Sequence, residues 1–127
     1  MDLNIPSVLA EVEAIFARYE DALVTNDVET LEELFWDDGR TIRYGVGELL
    51  YGMNEIREFR RSRAADGLAR SLGRTVITTF GYDYATANTL FFRDSMKTKL
   101  GRQSQTWVRF PQGWRVVSAH VSLMDKV

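Results

Sequence analysis

The feature that most constrains this chain is a change of period near its middle. Up to about residue 65 the apolar residues recur every three to four positions. From Arg74 to Met124 they fall in long runs rich in Val, Thr, Tyr, Phe and Trp, broken only by short turns. Strands that follow one another directly cannot form a parallel sheet, which needs a crossover between each pair. The order helices-then-strands therefore indicates an α+β fold: three N-terminal helices packed on one face of a curved antiparallel sheet. At 127 residues, a single domain over 1–127 can bury a core without disulfides or metal.

In the helical half, Ser7 after Pro6 reads as the cap of a first helix with a stripe of Val8, Val12, Ile15, Tyr19 and Leu23. Asn26 with Glu29 three residues on resembles a capping box. It would open a second helix that turns Leu31, Leu34 and Phe35 inward and stops at Asp37-Asp38-Gly39. Thr41 to Tyr44 reads as a short strand, with Glu48-Leu49-Leu50-Tyr51 as its hairpin partner between Gly45, Gly47 and Gly52. A third helix fits Asn54 to Ala65, with Met53, Ile56 and Phe59 on its apolar side and Arg60 and Arg63 at the edge of that side. Asp66-Gly67 is its stop. Four long strands are predicted over Arg74–Gly81, Asp83–Phe92, Thr98–Phe110 and Gly113–Met124, with turns at Arg93-Asp94-Ser95 and Pro111-Gln112-Gly113.

Several classes of function are excluded. The chain has no cysteine, which removes disulfides, thiolate metal sites and cysteine nucleophiles, and a single histidine leaves no legible metal site. A net charge of −2 and a pI near 5.4 give no overall attraction to nucleic acid or to anionic membrane, so anion binding must come from clustered arginines. No apolar run approaches the ~20 residues that span a bilayer, and the first residues have neither the basic nor the apolar part of a secretion signal. A soluble cytoplasmic protein is expected.

Candidate site residues follow from parity and charge. His120 shares strand parity with Trp114, Val116, Ser118 and Ser122, which predicts one common face; it is either a core histidine or a pocket-lining donor. Ser118 and Ser122 are poor triad partners, since strand positions two apart lie about 6.5–7 Å from each other. Arg102 shares parity with Leu100, Val108 and Phe110 and is expected to face inward, although arginine is mostly a surface residue. Arg43 is different: among residues 41–47 it is the only charged one, and a guanidinium there could hold a carboxylate bidentately. Tyr19 lies on the buried stripe and needs a partner for its hydroxyl. A meeting of Tyr19 with Arg43 would make the phenol a candidate proton donor or acceptor, with Glu48 as counter-charge. Val117, Val121 and Leu123 are expected on the outer sheet face, an apolar surface suited to a homodimer.

The ending Gly113-Trp114-Arg115-Val116-Val117-Ser118-Ala119-His120-Val121-Ser122, placed after helices and strands in this order, resembles the NTF2-like (SnoaL/ketosteroid-isomerase-like) superfamily. Three further stretches are more specific. They are Phe35-Trp36-x-x-Gly39-x-Thr41-Ile42-Arg43-Tyr44-Gly45-x-x-Glu48-x-x-x-Gly52, Ile56-x-x-Phe59-Arg60-x-x-Arg63 and Gly101-Arg102-Gln103-Ser104-Gln105-Thr106-Trp107. Together they resemble the AtzH-like family, which includes the HpxZ proteins linked to oxalurate breakdown. The resemblance implies an NTF2-like cone and Tyr19 with Arg43 as the catalytic pair. It also implies a cofactor-independent amidohydrolase of nitrogen catabolism, acting on 1,3-dicarboxyurea (to allophanate) or an oxalurate-related ureide. Glu48, Arg60, Arg63, Arg102, His120 and Ser122 are the expected substrate-binding residues. The alternative is a non-catalytic, small-anion-binding accessory subunit of an amidase-signature hydrolase.

Overall fold

The computed structural model describes residues 1–127. Three helices, α1 (Pro6–Val24), α2 (Val28–Leu34) and α3 (Met53–Ser62), lie on one face of a six-stranded sheet. Its strands are β1 (Ile42–Tyr44), β2 (Leu49–Tyr51), β3 (Ser71–Phe80), β4 (Tyr84–Phe92), β5 (Lys99–Phe110) and β6 (Gly113–Asp125), in the spatial order β2-β1-β6-β5-β4-β3. The chain is thus α+β, and every neighbouring pair is antiparallel except β1 and β6. The last strand returns beside the first and in the same direction, because α3 and the intervening strands supply the long crossover a parallel pair requires.

Helix ends differ from the sequence expectation in instructive ways. Pro6 takes the first position of α1, where its missing N–H costs nothing, so Ser7 lies inside the helix and does not cap it. The buried stripe runs through Val8, Val12, Phe16, Tyr19 and Leu23, with Phe16 in the line where Ile15 was expected. The cap of α2 is Asp27, not Asn26: its carboxylate accepts from the Thr30 N–H at 3.2 Å, while Asn26 adopts a left-handed turn at φ 53°. Helix α3 stops at Ser62, short of Ala65, and Arg63 is already extended. Within α3 the buried line is Met53, Ile56 and Arg60, so Arg60 belongs to the inward stripe and not to its edge.

One irregularity decides which residues face the helices. Thr106 pairs with Ser118 but Trp107 pairs with Val116, so Val117 has no partner and bulges. A single extra residue reverses the alternation of everything beyond it. Before the bulge Trp114 and Val116 are buried; after it Ala119 is buried, and Ser118 and His120 are exposed. Ser122 continues the outward set and lies opposite Arg102, which donates to its hydroxyl from Nε at 3.1 Å on the exposed face. The expected inward orientation of Arg102, His120 and Ser122 is therefore corrected: all three belong to the outer face. Val121 and Leu123, expected outside, pair with Gln103 and Gly101 and take the inward parity.

The inward row of β5 is Gly101, Gln103, Gln105 and Trp107, all buried. Gly101 is there to admit a ring, since a Cβ at this position would lie 2.2 Å from the nearest atom of buried Phe91. Gly101→Ala is expected to push Phe91 off its site and to cost about 1–3 kcal/mol, as overpacking does. Urea denaturation measures this, and a variant as stable as the parent would show that the strand adjusts at no cost.

Candidate functional site

Burial and charge meet at one place, the concave side of the sheet under α1 and α3. Arg60 is 1% exposed, and its Nη2 donates to the Tyr19 hydroxyl at 3.4 Å. Tyr19 is itself held edge-on to Trp107, with ring centres 6.1 Å apart, and the Arg60 guanidinium lies over the Phe35 ring at 4.2 Å. Arg43, from β1, donates to Glu48 at 2.8 Å across the β1–β2 hairpin. The Glu48 carboxylate occupies the space a Cβ on Gly45 would need, so glycine at 45 is what lets this pair close. No direct hydrogen bond joins Tyr19 to Arg43, the pair singled out from sequence. Arg60, one turn inward on α3, reaches the phenol, and Arg43 is bonded to Glu48.

Two further arginines complete the set. Arg70, in the segment before β3, makes a bidentate pair with Glu20 of α1 at 2.8 and 2.6 Å and donates to Gln103 Oε1 at 2.9 Å. Arg93, just after β4, and Arg70 both lie over the Phe91 ring, at 5.1 and 4.5 Å from its centre. Arg43 and Arg63 share Phe59 in the same way, at 5.4 and 5.7 Å. Aromatic faces thus hold guanidinium groups where the charges would otherwise repel.

The electrostatics are unbalanced. Of Arg43, Arg60, Arg63, Arg70 and Arg93, only Arg43 and Arg70 have carboxylate partners, Glu48 and Glu20. Five cations against two carboxylates leave three positive charges without a carboxylate, one on buried Arg60 and two on half-buried Arg63 and Arg93. Arg60 Nε and Nη1, Arg63 Nε and Nη2, and Arg93 Nε are buried with no partner in the protein. Burial first, and then the positive charges of Arg43 and Arg63 opposed by contact with Tyr19, push Arg60 down to about 10. Arg63 and Arg93 are lowered for the same main reason, loss of water, with neighbouring arginines adding to it. Such a cluster can accept a compact polyanion. No group of His, Asp and Glu residues has the arrangement of a metal site, and no helix is long and apolar enough to cross a membrane.

Of the residues selected from sequence, Tyr19, Arg43, Glu48, Arg60 and Arg63 come together here, and Arg102, His120 and Ser122 do not. Sequence reasoning missed Arg70, Arg93, Glu20, Gln103 and Gln105. The glutamines carried a signal, because in Gly101-x-Gln103-x-Gln105-x-Trp107 they alternate with the outward set and end on a buried tryptophan. Arg70 and Arg93 carried none, since both lie at strand ends where no period applies. Among the larger surface hollows, one past Trp36, Arg57 and Arg115 and another beside Pro111 lie outside this cluster.

The AtzH-like family model matches residues 1–127. A protein of unknown function from Pectobacterium atrosepticum is 59% identical with a TM-score of 0.95, the match covering 98% of this chain and 96% of that one. A cystatin-like fold protein from Burkholderia xenovorans is 46% identical with a TM-score of 0.96, covering 100% and 99%. An NTF2-like superfamily protein from Salmonella enterica serovar Typhimurium is 24% identical with a TM-score of 0.74, covering 95% and 94%, a likeness of fold alone. No curated protein matches the chain.

The buried charge makes a stability prediction. The folded protein holds the Arg60 proton less tightly than the unfolded chain does, because burial disfavours the charged form. The penalty is therefore full below about 10 and is relieved as pH rises through that value. At neutral pH Arg60→Met is expected to be neutral or to stabilise by about 1–2 kcal/mol, because it removes an uncompensated buried cation. Urea unfolding measures it; a loss of more than ~2 kcal/mol would show that Arg60 is a net structural support.

Proposed function

We propose, given that the chain belongs to the AtzH-like family, that its cone binds a small anionic ureide and hydrolyses a C–N bond in it. The ligand is an N-carboxylated urea such as 1,3-dicarboxyurea, giving allophanate, or an oxalurate-related compound. One observation carries this reading: Arg60 is buried and Arg63 and Arg93 are half-buried, and each has buried N–H groups that no residue accepts from. A carboxylate ligand provides both the missing charge and the missing acceptors.

In this reading the arginines hold the ligand's oxygens and stabilise charge that builds on them. Tyr19 accepts from Arg60, so its own proton is directed elsewhere and can go to the leaving nitrogen. Water adds through its oxygen to the carbonyl carbon, the C–N bond breaks, and its electron pair leaves with the nitrogen, which takes the Tyr19 proton. The second proton of water restores the phenol. A second reading has one observation in its favour. Glu20 and Glu48 are both ion-paired and His120 is outside the cone, so no unpaired carboxylate or imidazole stands ready to activate water. That arrangement suits an accessory subunit that binds the anion for an amidase partner. The outer face, where Tyr44, Tyr51, Val76 and Tyr84 are solvent-facing, suits a homodimer contact. Light scattering at micromolar concentration should then give twice the mass of one chain.

The deciding assay supplies 1,3-dicarboxyurea through an upstream amidase and follows allophanate by mass spectrometry. Tyr19→Phe is expected to lower turnover about 10²-fold, and to cost about 1–2 kcal/mol in stability because Arg60 loses its one acceptor. Arg43→Lys should fail despite its charge, because a lysine loses the planar fork. His120→Ala should stay within about twofold, as surface changes away from the site do. Ligand binding with no turnover by the parent protein would select the accessory reading, and full turnover by Tyr19→Phe would remove the tyrosine from the chemistry.

A further inference from the structure

Gln103 and Gln105 sit one residue apart on β5, about 6.5–7 Å along the strand, with side chains turned into the cone and exposures of 3% and 2%. Arg70 Nη2 lies 2.9 Å from Gln103 Oε1, and Trp107 Nε1 lies 3.1 Å from Gln105 Oε1. Guanidinium and indole nitrogens only donate, so the atoms they touch must be the amide oxygens. This fixes both amides in one orientation and leaves both Nε2 groups at the other end, buried and without a partner. The remaining unpartnered nitrogens nearby, on Arg60, Arg63, Arg93 and Trp114, are also donors. Thr79 Oγ1, a hydroxyl that can itself donate, and Asn26 Oδ1 in the α1–α2 turn are the only buried oxygens left over.

We infer that Gln103 and Gln105 are specificity-determining residues: their fixed NH2 groups read acceptor atoms, so the site takes compact diacids and rejects ligands ending in a carboxamide or amine. Within the proposed function this favours the dicarboxylated urea over oxalurate itself, whose ureido end is a carboxamide. The inference rests on the anion-binding part of the proposed function and not on its hydrolytic step. A terminal NH2 placed in this site would meet N–H groups, leaving donors unpaired on both sides, and sites built on buried hydrogen bonds discriminate strongly on that ground. A carboxylate or ester oxygen meets no such conflict. The rule also gives a direction to turnover: cutting a C–N bond exchanges an acceptor end for an NH2 end, so the product fits worse than the substrate and leaves.

Three probes of one size separate charge from hydrogen bonding: malonate, monomethyl malonate and malonamate, titrated calorimetrically into the full chain. Malonate should bind most tightly. The ester and the amide are both monoanions, yet the amide should bind about tenfold or more weakly than the ester. In Gln103→Glu and Gln105→Glu, which keep the oxygen for Arg70 or Trp107 but lose the NH2, malonate affinity should fall about tenfold or more. The ester-to-amide ratio should also collapse towards one. Gln105→Met provides the same loss of donor without a new charge, should the acidic variants fold poorly. An amide bound as well as the ester, or a ratio unchanged in all folded variants, would overturn the inference while leaving anion binding intact. No binding of malonate or of its ester would overturn both, and binding without ureide turnover would count against hydrolysis alone.

Discussion

Five guanidinium groups share the concave face of one small sheet, and holding like charges together there governs the rest of the interior. Burial, full for Arg60 and partial for Arg63 and Arg93, removes water that would screen them, so other groups must hold them. Two are neutralised by carboxylates of the chain, Glu20 and Glu48. Phe35, Phe59 and Phe91 present their faces to all five. Three charges remain over, and this surplus is the observation on which the anion-binding proposal rests.

Glycines make the arrangement possible at two points, for a steric reason in each case. Gly45 leaves room for the carboxylate that Arg43 needs, and Gly101 leaves room for the ring that Arg70 and Arg93 share. Around them the hydrogen bonds are ordered by what each group can do. Arg60 donates to Tyr19, Arg70 to Gln103, and Trp107 to Gln105. Every protein acceptor used in this way frees or orients a donor, so the interior as a whole offers N–H groups. The cost of these unmet donors is stability withheld from the fold.

Much of the fold could be read from periodicity because burial acts on it directly. The stripe of α1, the hairpin of β1 and β2 and the run of four long strands follow from which residues avoid water. Tyr19 was legible for that reason, and Arg43 because it stands alone in an otherwise uncharged strand. Residues 63–70 and Arg93 lie where the chain has no period, so Arg70 and Arg93 gave no sign of turning inward.

The amino-acid order alone settles the fold class and the absence of thiol chemistry, and it singles out Tyr19 and Arg43, both buried, since these depend on composition and local spacing. It does not settle the facing of β6. That depends on Val117, which bulges because Trp107 pairs with Val116 while Thr106 pairs with Ser118, a register fixed between strands and not within one. The shift turns Ala119 inward and leaves His120 outside. The partner of Tyr19 was likewise decided by packing: Arg60 and Arg43 are 17 positions apart, and only the way α3 lies across the sheet brings the former to the phenol. Local chemistry names the groups that can act; long-range pairing chooses which of them meet.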